Sequence, residues 1–310
     1  MALSDPSGIK APAPARKLAL AAAEDEAALR AAAQAYARGI VLPILCGSEK
    51  KIREIAETAS IDITPFELVD CASAAEAVAA AVSLVREKRA DILMKGLVQT
   101  AELLRAVLDK ENGLRSDGSR SDGSRSGGLL SHVSILDSPI LKKRFLLTDA
   151  AMVTYPDLKA KAALIRNAVK AASGLGIALP RVAVIASVEV VNPDMPATLD
   201  AAALTVMSRR GQLGNCIVDG PLAMDLALSE EAARHKGVVS EVAGRADILL
   251  MPNIDAGNAT LKAFTLGGNC LFGGLVMGAA APIVLNSRSD SDDSKLFSIE
   301  CAVAISRGAY

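Results

Sequence analysis

Residues Pro282–Lys295 read PIVLNSRSDSDDSK. Ile283, Val284 and Leu285 form a short apolar run, the pattern of a buried strand. Asn286, Ser287, Arg288, Ser289, Asp290, Ser291, Asp292, Asp293 and Ser294 then crowd polar side chains into one loop, and a helical pattern follows from Lys295 through Ala304. An open α/β sheet places its ligand where a strand ends in such a loop. Arg288 offers paired donors to a phosphate or a carboxylate, with Ser287 and Asp290 beside it to handle a proton. The same Ser and Asp residues also suit a helix N-cap, and the stretch alone leaves both readings open.

Outward from that loop, short apolar strands alternate with amphipathic helices. Residues 1–15 are rich in Pro and Ala and read as a loose end. Helices are expected over 24–38, 49–59, 72–88 and 101–109, with strands over 40–45, 64–69 and 90–94. Two paired strands, 129–136 and 144–147, precede a second set of strands over 181–186, 216–218 and 246–251. Helices over 157–174, 196–210, 223–233 and 256–264 accompany them. Such alternation marks parallel sheets covered on both faces. Several strands end in polar loops: Lys95-Gly96, Ser187-Val188-Glu189, Asp219-Gly220-Pro221 and Asn253-Ile254-Asp255. Parallel strands bring such ends to one edge.

Composition narrows the class. The chain has 310 residues, 51% hydrophobic but only 3% aromatic, with no Trp. The core is therefore built from Ala, Leu, Val and Ile. A net charge of -1 supplies no global field toward nucleic acid or a membrane. Five Cys without CxxC spacing fit a reducing, cytoplasmic setting and buried small side chains rather than a zinc site. Two His, His132 and His235, are too few for a His-based metal centre. Basic residues 10, 16 and 17 precede an apolar run at 18–23, but Glu24-Asp25-Glu26 cuts that run short of a signal peptide. The uncharged stretch 263–286 is long enough to raise the question of a membrane span. Its six-residue scatter of Gly and Pro reads instead as a helix end, a Gly-rich turn and a buried strand. Residues 115–128 repeat the unit RSDGS, which has no apolar face to bury and reads as an expanded loop, or as a basic flap over a phosphate-bearing ligand. GxGxxG after the first strand, GxxxxGK[ST] and GxSxG are all missing, so a nucleotide-binding or hydrolase motif is unsupported.

Eight stretches, in order, carry a family resemblance. They are ADILMKG (90–96), LLRAVLDKENGLR (103–115), LSHVSIL (130–136), LLTDAA (146–151), VEVVNPDMPAT (188–198), DGPLAMD (219–225), PNIDAGN (252–258) and APIVLNSRSDS (281–291). The sequence resembles the phosphate acetyltransferase and phosphate butyryltransferase family from about residue 40 onward. Pro221 stands where acetyltransferases usually carry Glu, which brings it nearer the butyryltransferase branch. The resemblance implies two α/β/α domains with a cleft between them, similar to isocitrate and isopropylmalate dehydrogenases. The first would hold 1–140 with 287–310 and the second 141–286. It further implies acyl transfer from acyl-CoA to inorganic phosphate, giving acyl phosphate and coenzyme A, by a homodimer or higher homo-oligomer in the cytoplasm. CoA compounds are then substrates, and no cofactor, metal, nucleic acid or membrane is called for.

In that chemistry Arg288, with Arg105 second, would hold the phosphate dianion against a thioester carbonyl. Ser287 and backbone N–H groups near Gly96 or Gly257 would meet the charge that develops on the carbonyl oxygen. In the reverse direction the CoA thiol must become a thiolate, and Asp290 is the candidate base. The family's acetyltransferases carry an Asp seven residues beyond the motif Ser; here that position is Ser294, leaving Asp290, Asp292 or Asp293 as substitutes, or no side-chain base. Asn192, with Pro193 and Met195, would line a groove for the CoA arm. Lys95, Gly96, Asp219, Asn253, Asp255 and Asn258 complete the expected substrate-binding set. Each has a plainer reading: Arg105 as a solvated helix charge, Asp219 and Asn253 as turn formers, Asp255 and Asn258 as first-turn residues. Rival functions are acetyl rather than butyryl transfer, a metal- and NAD(P)-dependent dehydrogenase on the same fold, and a CoA-binding protein without turnover.

Overall fold

The structure, a computed structural model, describes residues 15–115, 128–287, 290–308 and 310. Most of the RSDGS repeat, and Arg288 with Ser289, lie outside the described residues. In chain order the elements are β1 (Arg16–Ala21), α1 (Glu26–Ala37), β2 (Val41–Gly47), α2 (Glu49–Thr58), β3 (Glu67–Asp70), α3 (Ala74–Arg86), β4 (Ile92–Lys95) and α4 (Thr100–Val107). Then come β5 (Ser131–Ser138), β6 (Lys143–Thr148), α5 (Leu158–Gly174), β7 (Arg181–Ile185), α6 (Pro196–Arg209), β8 (Ile217–Leu222), α7 (Met224–Leu228), α8 (Glu230–His235) and β9 (Ile248–Leu250). The chain closes with α9 (Ile254–Lys262), a π-helical turn (Ala263–Gly267), β10 (Leu271–Met277), β11 (Ile283–Val284) and α10 (Asp292–Gly308).

Two compact units result, one holding residues up to 128 together with 273–308, the other 129–272. In unit 1 the strands lie in the order β3-β2-β1-β4-β11-β10. All pairings are parallel except β10 with β11. β1 is central, and Leu18, Ala19, Leu20 and Ala21 are fully buried. This strand was missed in the sequence because its six residues sit between basic side chains and an acidic run, the same features that decide against a signal peptide. α1 packs on α10 and α3 on α4. Arg38 on α1 reaches Glu300 on α10 at 2.9 Å.

Unit 2 orders its strands β5-β6-β9-β7-β8. β5 and β6 pair as expected, in antiparallel sense, and the others run parallel. Phe145 on β6 is fully buried and meets the Phe264 ring edge-on at 5.2 Å. Leu147, Leu249, Leu226 and Val242 fill the same cluster. Lys161 on α5, almost wholly buried, pairs with Asp200 on α6 at 2.6 Å.

Three expectations need correcting. Asp219, Gly220 and Pro221 do not follow a strand but lie within β8, which runs on to Leu222. The helix expected over 223–233 is broken at Ser229, whose hydroxyl accepts from the Ala232 N–H and starts α8 afresh. Gly273 and Gly274 are strand rather than turn: a Cβ on Gly273 would stand 3.2 Å from the Phe297 ring, and the Gly274 N–H donates to Ser298 Oγ at 3.0 Å. Glycine inside a strand here marks close approach of another element. Among the described residues no helix is long and apolar enough to cross a membrane.

All five cysteines are free and buried. Burial, then the neighbouring Cys71 and Glu67, push the Cys46 thiol from 9.0 up to about 12. Since the folded chain keeps a proton that the unfolded chain releases above pH 9, this stability is whole below pH 9 and lost as pH rises toward 12. Cys46→Ala should flatten that part of the stability–pH curve, read by urea titration at successive pH values. Phe145→Ala should cost about 3–5 kcal/mol in the same assay; a loss below 1 kcal/mol would mean that the cluster refills the space.

Candidate active site

The strand order of unit 1 marks a candidate place before any side chain is considered. From β1 the chain goes out to β2 and β3 on one side, then returns to β4 on the other side of β1. The chain order therefore reverses between β1 and β4, the kind of position at which an open α/β sheet seats a ligand beside the carboxyl ends of its strands. Register fixes what gathers there: Ala21 on β1 faces Lys95 on β4, and Val284 on β11 faces Met94. Leu285 and Asn286 thus emerge beside Lys95. A small cavity is lined by Asp25, Ala28, Met94, Lys95, Asn286, Ser287 and Lys295.

Gly96 makes this approach possible. A Cβ there would lie 2.2 Å from the Ala22 carbonyl oxygen. The N–H groups of Gly96 and Leu97 donate to Ala21 and Ala22, and that of Val98 to Gly96. These N–H groups hold the loops together instead of pointing at a ligand. Half-buried Lys95 curls over the same loop, its Nζ donating to the carbonyls of Gly96 at 3.2 Å and Val98 at 3.3 Å. Asp25 caps α1 through the Ala28 N–H at 3.0 Å.

The loop from β11 to α10 is tied by one carboxylate oxygen. Asp290 Oδ2 accepts from the Ser287 N–H at 2.8 Å and from Asn286 Nδ2 at 3.2 Å. The Asp290 N–H returns a bond to the Ser287 carbonyl. Ser287 is exposed and Asp290 half-buried. Ser291 caps α10 through the Ser294 N–H at 3.2 Å, and its hydroxyl lies 3.1 Å from that of Ser294. The capping reading is met by Ser291, while Ser287 and Asp290 bond to each other in the loop before it. Ser294, at the family's Asp position, is buried in the cap. Asp292 lies in the first turn of α10, 3.9 Å from Arg30. Lys295 was not foreseen. It is 5% exposed and its Nζ donates to the Asp290 carbonyl. A lysine in the first turn opposes the helix dipole, and that was the available signal.

Arg105 does not line this cavity. It is exposed on α4, in a groove of about 740 Å³ between α3 and α4 that also presents Arg86, Glu76 and Glu102.

Unit 2 gathers a second set. Asn253 caps α9 through the Ala256 N–H at 2.9 Å. Asp255 accepts from the Tyr155 hydroxyl at 2.6 Å, and this bond with the carboxylate's charge raises the Tyr155 phenol above its ordinary range. Asn258 donates to the Ala150 carbonyl at 3.1 Å. Gly257 donates its N–H to Asn253, and a Cβ on it would stand 2.2 Å from the Asp149 carbonyl oxygen. Asp149, another residue the sequence reading passed over, is buried and accepts from the N–H groups of His132, Ala151 and Met152 at 2.7–2.8 Å. Asn192 shapes its own loop, accepting from the Asp194 N–H at 2.9 Å and bonding to Thr198. Asp219 accepts from the Gly220 N–H at 3.0 Å and lines a different hollow, with Ser208, Arg209 and Ser240.

Comparison with known proteins converges. The family model described as "Phosphate acetyl/butaryl transferase" matches residues 9–79 and 72–303. The chain is 47% identical over 290 residues to a phosphate butyryltransferase of Clostridium acetobutylicum, covering 94% of this chain and 93% of that protein. It resembles the crystal structure of a branched-chain phosphotransacylase from Enterococcus faecalis V583, with a TM-score of 0.82, 32% identity, and 94% and 99% of the two chains covered. A likeness of fold alone extends to a 4-hydroxythreonine-4-phosphate dehydrogenase from Klebsiella pneumoniae, with a TM-score of 0.57, 13% identity, and 94% and 99% covered.

Gly257→Ala should displace the segment at Asp149 and lower the thermal midpoint further than Asn253→Ala, which removes only a cap bond of about 1 kcal/mol. Equal midpoints for the two variants would refute the close approach.

Proposed function

The chain belongs to the phosphate acetyl/butyryl transferase family, and from that premise we propose that it moves a short, butyryl-like acyl group between coenzyme A and inorganic phosphate, reversibly. The observation that supports a working site is the Ser287–Asp290 loop held beside Lys95 at the sheet's switch point.

A phosphate oxygen attacks the thioester carbonyl carbon within a ternary complex. The C–S bond breaks, sulfur leaves with the electron pair, and the proton of hydrogenphosphate ends on sulfur, giving acyl phosphate and free CoA. Phosphate and thioester are both weakly disposed to meet in water, so holding them together supplies much of the rate. Arg288 grips the phosphate as a planar fork. The Ser287 hydroxyl donates to the carbonyl oxygen as it gains charge. The Asp290 carboxylate, oriented by its two loop bonds, relays the proton. Lys95 adds positive charge to the anionic transition state. Gly96 acts by letting the two loops close up, not by donating its N–H. Arg105, Asn192, Asp219, Asn253, Asp255 and Asn258 are assigned to binding the acyl-CoA. The reaction draws on no resident cofactor, and the enzyme works as a homodimer or larger assembly in the cytoplasm.

The assay is release of CoA thiol from butyryl-CoA and acetyl-CoA, each with and without phosphate. Release that requires phosphate, and is faster with butyryl-CoA, is the expected result. Faster release from acetyl-CoA would keep the chemistry and move the chain to the acetyl branch, a difference of about 1–3 kcal/mol in pocket fit. Arg288→Ala should abolish saturation by phosphate; an unchanged phosphate dependence would overturn its role.

A further inference from the structure

The cavity beside Lys95 carries an unmet demand. Asn286 is 9% exposed, and its Nδ2 is committed to Asp290. A carboxylate only accepts when ionised, so this bond fixes which end of the amide is which. Oδ1 then turns the other way, and it is a buried atom with no hydrogen-bond partner. An orphaned buried acceptor costs about 1–3 kcal/mol and points to something that binds there. Lys295 lines the same cavity, is 5% exposed, and has three N–H donors with the Asp290 carbonyl as recorded partner. Among the described residues it forms no ion pair. A buried ammonium is stable only when a counter-charge and further acceptors meet it. Asp25, the carboxylate lining the cavity, is engaged in capping α1. The amino end of α10 adds to the positive field.

The missing guest must accept from an ammonium, donate to an amide oxygen and carry negative charge. The cavity volume of about 10 Å³ takes one oxygen-sized group. We propose that this cavity is the seat of the protonated oxygen of hydrogenphosphate, which in the bound anion donates to Asn286 Oδ1 while accepting from Lys295 and gives its proton up to the Asp290 carboxylate as the acyl–oxygen bond forms, with Lys95 facing the rest of the anion. The assignment rests on phosphate being the acyl acceptor, and it adds two residues, Asn286 and Lys295, that select it. Sulfate has the same size and charge but no proton to give to Asn286. Selection against sulfate therefore resides in that one carbonyl oxygen.

Thermal unfolding in sodium phosphate, against sodium sulfate of equal ionic strength, tests the seat without turnover. The native chain should gain more from phosphate than from sulfate. Asn286→Leu should respond equally to the two anions. Lys295→Met should lose the response to both, and Lys295→Arg should recover part of it. In the CoA-release assay, Lys295→Met should raise the KM for phosphate about tenfold or more while leaving the KM for acyl-CoA within about twofold. Equal responses to the two anions in the native chain would overturn the seat, leaving a buried water as the guest. A fall in kcat with both KM values unchanged would overturn phosphate binding by Lys295 in favour of loop positioning alone. Failure of CoA release in the native chain, with the anion preference intact, would instead count against the acyltransferase reading.

Discussion

One carboxylate oxygen organises the chain between β11 and α10. Asp290 Oδ2 holds the backbone of Ser287 and the side chain of Asn286 together, and Lys295 ties down the carbonyl of the same residue. Without this clasp the strand would end in a run of small polar side chains with many conformations to lose on binding. With it, the backbone of exposed Ser287 is held in place. The bond from its nitrogen fixes the Asn286 amide, and Ser291 caps the start of α10.

Unit 2 solves a similar problem with backbone donors. Asp149 collects three N–H groups, and Gly257 lets the start of α9 come against the same segment. Asn253, Asp255 and Asn258 thereby do structural tasks that any ligand role must share. Asp255 and Asn258 are exposed, Asp255 being bonded to a tyrosine at the surface.

Much of this architecture was legible in the chain. Asp25, Ser73 and Asp157 begin helices as their residue types suggest, and the Ile283-Val284 run is strand as its pattern requires. What was hidden has physical reasons. β1 lay in a run too short and too closely flanked by charge to stand out. β8 continues through Asp219-Gly220-Pro221 because one residue pattern serves both strand and turn. Lys95 and Lys295 are 200 residues apart in the sequence, and only the parallel register of β1, β4 and β11 brings them to one cavity. The bond from the Lys295 side chain back to the Asp290 carbonyl at the helix start is a tertiary fact that local pattern does not show. Arg105 was the second choice for phosphate on family likeness alone, and it lines a different groove. Family likeness carried the reaction; sheet order and register show which loops lie side by side.

The burial of every cysteine acquires another meaning for a chain whose turnover sets free a thiol. Each forward cycle would leave CoA–SH at the protein, and oxidised CoA would accumulate whenever the surroundings become less reducing. Thiol–disulfide exchange needs an accessible thiolate as attacking group. Cys46, Cys71 and Cys216 are held toward the neutral thiol chiefly by burial, and Cys270 and Cys301 are out of reach inside the fold. Burial of all five thus leaves the chain no exposed thiol to form a mixed disulfide with the CoA that its turnover releases.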